Sequence, residues 1–301
     1  MSLPLPYTWV DVFAPHPFSG NQLAVFQAPA DLPVSLMQRL TRELNHSETT
    51  FLQPATIPSA DLRVRIFIPT LPDAVEIPFA GHPLLGSAVV AAMDRTEPCT
   101  VRLQAGVGVV PVTVAPAGPG CWDAQMVQPL PRLVRTVTER TKLAGALGLA
   151  VADLEPDLPI EAVENGMQTV IIPLASLEAV RRTVPHMPAL RELLGRDGLC
   201  TLVFAPGGME PGAHVTCRVF SPFDLVSEDP ATGSANGPLG EYMVRHGLAR
   251  SGETIRSEQG DAVGRPGRLA LVVERHGATT QSVAVGGRVW LAGNGQFFVE
   301  G

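Results

Sequence analysis

Along most of this chain apolar and polar positions alternate or gather in β-branched runs, and turn residues bound nearly every run. The pattern predicts strands at Thr8–Phe13, Gln22–Phe26, Thr49–Gln53, Leu62–Ile68, Ala74–Ile77, Thr100–Gln104 and Val107–Val114. In the second half it predicts Thr169–Pro173, Leu199–Phe204, Ala213–Phe220, Arg268–Glu274, Ser282–Trp290 and Gln296–Glu300. Helical spacing is rarer. It covers Pro33–Asn45, where Leu36, Met37, Leu40 and Leu44 recur on one face, and Pro83–Met93, Arg135–Leu147, Leu174–Val184, Leu190–Leu194 and Asn236–His246. This is a β-rich α+β pattern without regular βαβ alternation, which argues against a doubly wound nucleotide-binding fold.

The segment Pro83–Met93 is apolar nearly all round, so burial is expected rather than a surface stripe. Pro83 suits a first helical turn, His82 its cap, and Gly81 a close backbone approach. Thr232, Ser234 and Asn236 offer capping side chains to the later helix, and Gly247 follows it as a stop. A buried helix start that opens on a cleft presents free N–H groups to an anion.

The two helix starts belong to an internal repeat. Arg65-Ile66-Phe67-Ile68-Pro69 returns as Arg218-Val219-Phe220-Ser221-Pro222. Gly81 comes 12 residues after Pro69, and Gly233 comes 11 after Pro222, each leading into a helix. Strand, proline, loop, glycine and helix thus occur twice, which predicts two related domains with a small-molecule site at their junction. We place them at residues 1–125 and 126–295, with the terminal strand 296–301 packing on the first.

Composition narrows the function classes. The 301 residues are 45% hydrophobic and 17% charged, enough for a sizeable core, and the net charge of −7 supplies no basic block for nucleic acid or an anionic membrane. Cys99, Cys121, Cys200 and Cys217 form no CxxC pair and suit a reducing compartment, without a disulfide framework or zinc site. The opening MSLPLPYTWVDVF lacks a basic segment followed by an apolar one, and no run is long enough for a membrane span, so a cytoplasmic protein is expected.

The candidate chemistry starts at Glu48, in the segment LNHSETTF, where the first helix hands over to a strand. Two readings are open for it: a boundary carboxylate paired with Arg39 or Arg42, or an acid/base set into a cleft. His82 is open in the same way, as a structural or a catalytic histidine. His16, His214 and His276 have no partner pattern.

Taken together, VDVFAPHPFSGNQLAVF (10–26), SETTFL (47–52), RIFIP with PFAGHPLLGSA, RVFSP with EDPATGSANGPLG, and EQGDAVGRPGRL (258–269) resemble the PhzF-like family of phenazine-biosynthesis isomerases, which has the diaminopimelate epimerase fold. The resemblance implies two pseudo-symmetric halves, each a mixed or antiparallel sheet wrapped around a central helix. It also implies proton transfer without a cofactor or metal, in a homodimer, on a small anionic cyclic substrate. It makes Glu48 the main acid/base, with His82 and Asp229 beside it in catalysis. Asn21, Ser47, Gly81, Gly233 and Ser234 would hold the substrate. Gln259 is read either as a lining residue of that site or as a plain loop glutamine.

One departure is Gly20-Asn21-Gln22, where the family usually has Gly-Asn-Pro. Another sets the chain apart from two-thiol racemases, because His82 and Ser234 stand where those enzymes carry cysteines. The reaction expected is isomerisation of the trans-2,3-dihydro-3-hydroxyanthranilate type, in which one carboxylate moves a proton between ring carbons on one face. An ordinary glutamate, titrating near ~4.3, suits the base step, and burial beside a substrate anion would raise it for the return step. Epimerisation or tautomerisation of another small carboxylate, and a non-catalytic binding protein of the same fold, are the alternatives.

Overall fold

The computed structural model describes residues 2–70, 72–195, 200–223 and 227–300. The chain divides into two compact units, one holding Met1–Val127 and Gly286–Gly301, the other Gln128–Phe223 and Ser227–Val285.

The first unit runs β1 (Ser2–Val12), β2 (Asn21–Gln27), α1 (Val34–Leu44), β3 (Glu48–Pro54), β4 (Leu62–Ile68), β5 (Val75–Ile77), α2 (Gly81–Ala92), β6 (Cys99–Ala105), β7 (Gly108–Gly118) and β8 (Cys121–Val127). β1 is antiparallel to β2, β2 parallel to β3, β3 antiparallel to β4, and β4 antiparallel to β5 and parallel to β6. The predicted apolar stripe of α1 works as read. Met37 and Leu40, flanked by Leu36 and Leu44, pack into a cluster with Phe26, Phe51 and Phe67. Phe26 stacks on Phe51 at 5.0 Å, and Phe67 meets Phe51 edge-on at 5.6 Å.

Helix α2 packs against β1–β4 and β6–β8 and is buried except at Ala91. A Cβ on Gly86 would stand 2.6 Å from Leu23 Cδ2 and 3.0–3.1 Å from Val12 and Val10, so glycine lets the helix lie directly on β1 and β2.

The second unit runs β9 (Arg132–Thr136), α3 (Arg140–Ala146), β10 (Glu161–Glu164), β11 (Gln168–Pro173), α4 (Leu177–Arg182), α5 (Met187–Leu194), β12 (Cys200–Pro206), β13 (Val215–Phe220), β14 (Glu228–Asp229), α6 (Gly233–Arg245), β15 (Thr254–Gln259) and β16 (Gly267–His276). β10 is antiparallel to β11, β11 parallel to β12, β12 antiparallel to β13, and β13 antiparallel to β14 and parallel to β15. That is the same order of pairings as in the first unit. Strand β17 (Thr279–Glu300) ends the chain, and its last stretch lies antiparallel to β1, from Val12↔Val289 to Ser2↔Glu300.

The repeated pentapeptide has one structural role in both places. Arg65 on β4 donates two hydrogen bonds to Glu76 on β5 (2.8 and 2.5 Å), and its guanidinium lies over the Phe67 ring. Arg218 on β13 does the same with Glu228 on β14 (2.9 and 2.8 Å) and Phe220.

Several expectations are corrected. Arg135 and Thr136 belong to the strand Arg132–Thr136, paired with β10, and helix starts only at Arg140, because the β-branched Thr136 joins the ladder opposite Glu161. β8, β10 and β15, not anticipated, are short or carry polar residues on one face. Ser282–Trp290 and Gln296–Glu300 are parts of one strand that runs through its glycines. The helix expected over Leu174–Val184 is confined to α4, where Ser176 Oγ accepts from the Ala179 N–H. α5 begins earlier than expected, with His186 as its cap. Leu199, the first residue of an expected strand, lies outside the described residues. No described helix is long and apolar enough to cross a membrane.

Candidate active site

Strand parity brings the first set of residues together. Along β3, Phe51 points into the α1 cluster, while Thr50 faces α2 and accepts a hydrogen bond from Ser87 Oγ at 2.9 Å. Glu48, two residues before Thr50, therefore faces α2 as well. Asn21 has the same parity as Leu23, which touches Gly86 of α2. Parallel pairing of β2 and β3, with Leu23 opposite Glu48, sets Asn21 and Glu48 side by side at one end of the helix.

The two tight connections that feed these strands use left-handed backbone. Asn45 ends α1 at φ 51, its N–H donating to the Thr41 carbonyl at 3.0 Å, and three residues later Glu48 begins β3. Gly20 has φ +59, and a Cβ there would lie 2.3 Å from the Val12 carbonyl oxygen and 2.9 Å from Ala14 backbone. Only glycine fits this turn. The departure at Gln22 leaves it intact.

At the start of α2 the expected cap is corrected. Ala80, in extended conformation, is the N-cap and makes no side-chain cap, so His82 is the second helical residue. Its ring is 2% exposed, and Nε2 lies 3.5 Å from Glu48 Oε2, whose side chain is 13% exposed. Asn21 Nδ2 reaches His82 Nδ1 at 3.0 Å, and Ser47 Oγ donates to Asn21 Oδ1 at 3.3 Å. The hydroxyl sets the amide, the amide donates to Nδ1, and the neutral imidazole then carries its proton on Nε2, towards Glu48. Arg42, one of the two partners that the boundary-charge reading offers Glu48, donates instead to the Pro72 carbonyl and lies 3.8 Å from Asp73.

The second unit assembles the other set. Asp229 is buried and accepts from Thr232 Oγ1 at 2.6 Å. α6 begins at Gly233 after an N-cap Thr232 that makes no side-chain cap, so Ser234 is its second residue. Asn236, expected as a cap, lies inside the helix and turns back, donating to the Thr232 carbonyl at 3.0 Å and to Gln259 Oε1 at 2.9 Å.

Gln259 is 1% exposed, and its amide is occupied by protein. Oε1 also accepts from the Thr232 N–H (3.1 Å), and Nε2 donates to the Asp229 carbonyl (2.7 Å) and Thr232 Oγ1 (2.9 Å). It braces the loop that carries Asp229 rather than lying open as a loop residue. Ser257, of the same parity on β15, donates to Asn236 Oδ1 at 2.6 Å. Gly260 follows at φ +86, where a Cβ would meet the Arg265 and Pro230 carbonyl oxygens at 2.2 and 2.3 Å.

Sequence reasoning missed Gln128 and Asn165. Gln128 Nε2 donates to the Gly233 carbonyl (2.8 Å), and Asn165 Nδ2 donates to the Ser234 carbonyl (3.0 Å) and Gln128 Oε1 (3.2 Å). The proline inside α6 was the available signal. Cys217 is fully enclosed, and burial pushes its thiol up to about 12, which leaves it no nucleophile. Among the described residues no three His, Cys, Asp or Glu gather as a set that could hold a metal ion.

The profile of the family described as phenazine biosynthesis-like protein matches residues 10–295. A trans-2,3-dihydro-3-hydroxyanthranilate isomerase of Pseudomonas aeruginosa is 36% identical over 98% of both chains. Among solved structures, a predicted epimerase of the same organism is 33% identical, covering 98% of this chain and all of its own, with a TM-score of 0.81. A Bacillus anthracis phenazine biosynthesis protein of the PhzF family superposes over 99% of this chain and all of its own, with a TM-score of 0.86 at 23% identity. On the profile match and the identity to the curated isomerase, this chain belongs to the phenazine biosynthesis-like PhzC-PhzF family and is an isomerase.

Proposed function

We propose that the chain is a cofactor-independent isomerase that moves a proton on a small, ring-bearing carboxylate of the trans-2,3-dihydro-3-hydroxyanthranilate type, with Glu48 as the single acid/base. The observation that carries this is the nearly buried Glu48 carboxylate 3.5 Å from His82 Nε2, with the imidazole fixed from its other side by Asn21. Glu48 takes a proton from one ring carbon as its C–H bond breaks, and the electron pair enters the conjugated system. The same carboxyl group, now neutral, returns that proton to a second carbon on the same face. His82 stabilises the carboxylate through Nε2–H before the first transfer and again after the second.

Asp229, with Gly81, Gly233, Ser234, Asn21 and Ser47, serves the same substrate, while Gln259 acts on it through the Asp229–Thr232 loop. The matching order of strand pairings and the recurring Arg–Glu–Phe arrangement support a duplicated, pseudo-symmetric chain with one buried helix in each half. The resemblance adds a homodimer as the working form. The predicted-epimerase relative favours a second reading, epimerisation of another small carboxylate.

The test is Glu48→Gln, assayed with trans-2,3-dihydro-3-hydroxyanthranilate and, in D2O, for deuterium entry into product. Loss of about 10³ in kcat with ligand binding retained is expected for a general acid/base. Unchanged turnover of that compound by the variant rejects the role of Glu48. A wild-type protein that binds small carboxylates and turns none over is the binding protein of the third reading.

A further inference from the structure

Pro238 stands at the sixth position of α6, inside the helix. A residue there ordinarily donates its N–H to the carbonyl four residues back, which is Ser234, and proline has no N–H to give. The proline ring also presses on that carbonyl and tilts it outward. The first turn of α6 therefore carries a built-in defect next to Ser234, and in a buried helix an unsatisfied carbonyl is costly.

The fold repairs the defect from outside the helix. Asn165, 2% exposed and just beyond β10, puts Nδ2 3.0 Å from the Ser234 carbonyl oxygen. The second proton of that amide goes to Gln128 Oε1 at 3.2 Å, and Gln128 Nε2 goes to the Gly233 carbonyl at 2.8 Å. Gln128 fits only because residue 237 is glycine: a Cβ there would lie 2.1 Å from its Oε1. Both residues are anchored in turn, since the Met167 N–H donates to Asn165 Oδ1 (3.4 Å) and the backbone N–H of Gln128 donates to the Val283 carbonyl (2.8 Å).

We propose that Asn165, seconded by Gln128, is a positioning residue for the isomerase reaction: its side-chain N–H replaces the helix hydrogen bond that Pro238 deletes, and so fixes the peptide planes of Gly233 and Ser234. A backbone N–H in place of that amide would tie the carbonyl to the helix axis, whereas the side chain holds it tilted. The inference rests on the proposed substrate-holding role of Gly233 and Ser234. It concerns how they are held rather than which molecule they hold.

The experiment is a double-mutant cycle of Asn165→Ala with Pro238→Ala, with Asn165→Asp as a second, shape-conserving loss of the donor. With trans-2,3-dihydro-3-hydroxyanthranilate, Asn165→Ala raises KM about tenfold, the size of one lost buried hydrogen bond, with a much smaller change in kcat. In the Pro238→Ala background, where residue 238 again has an N–H, most of that penalty disappears. Thermal unfolding and the Ala235 amide NMR shift, which reports polarisation of the Ser234–Ala235 peptide, are read on all four proteins. Asn165→Ala lowers Tm by about 3 °C and moves the Ala235 resonance, and both changes shrink when Pro238 is absent. Equal penalties in the two backgrounds, in KM, Tm and the amide shift, overturn the proposal. If the wild-type protein does not turn the compound over, the reading of its substrate fails while Tm and the amide shift still decide the role of Asn165.

Discussion

Along α2 the packing neighbours are apolar, and Gly86 lets the helix rest on Val10, Val12 and Leu23. At the start of α6 they are amides and hydroxyls: Gln128, Asn165, Asn236, Ser257 and Gln259. The first helix is held by packing, and the polar side chains Glu48, His82 and Asn21 gather at its start. The second is held by hydrogen bonds that face inward, and its polar residues are largely consumed by the task. Both have a proline near the start. In α2 it falls at the third position, where no donor is needed, and in α6 it falls where one is missed. Polar residues crowd both helix starts, around the proposed acid/base in one unit and as a brace for the helix in the other, and only their partners tell the two apart.

The parallel between Gly20-Asn21 and Gln259-Gly260 offers the strongest test of that contrast. Each pairs a left-handed glycine with a buried carboxamide that reaches a helix start. Gly260→Ala and Gly20→Ala force Cβ atoms onto backbone oxygens, and each is expected to cost about 3 kcal/mol or more of stability, measured by urea unfolding. A smaller loss at one of them would show that its turn can relax.

The carboxamides themselves should separate. Gln259→Ala leaves the Thr232 N–H and Asp229 carbonyl buried without their partner and is expected to cost about 2–3 kcal/mol of stability. Asn21→Ala, which removes the brace on His82, is expected to lower kcat by about 10–100-fold, as partial loss of an oriented acid/base group does, while stability changes by less than about 1.5 kcal/mol. The reverse ranking would break the division between packing and hydrogen bonding.

The smallest effect concerns the thiols. Iodoacetamide at pH 8 should modify the half-buried Cys99 first and Cys217 only on unfolding, with activity unchanged throughout, as followed by mass spectrometry. The sign extends to alkaline stability. An unfolded chain releases the Cys217 proton near its ordinary value while the folded one holds it to about 12. Stability from this group is full below pH 8.5 and falls between about 9 and 12, a limb that Cys217→Ala removes.

Much of this was legible in the sequence, for identifiable reasons. The α1 stripe, the all-apolar α2 and the hand-over at Glu48 are local patterns, whereas the parity that aims Glu48 at α2 emerges only once Ser87 is seen to meet Thr50. What escaped depends on distant partners. Gln128 and Asn165 lie 105 and 69 residues from the carbonyls they serve, and nothing near them in the chain announces a defect at Pro238. Gln259 looked like a loop residue because its donors and acceptors come from residues 229–236. Arg135 and Thr136, expected at the start of a helix, instead end a strand whose two large apolar side chains, Leu133 and Val134, are exposed, so burial left no period to read there.

The parity of β3 has an evolutionary consequence. Adding or deleting one residue between Glu48 and Thr50 would carry the carboxylate round to the α1 side, into the phenylalanine cluster, while leaving the ladder itself intact. A single indel in this stretch, with no substitution at all, is therefore expected to abolish the acid/base role proposed for Glu48, so selection for that role would act on the length of the segment as well as on its residues.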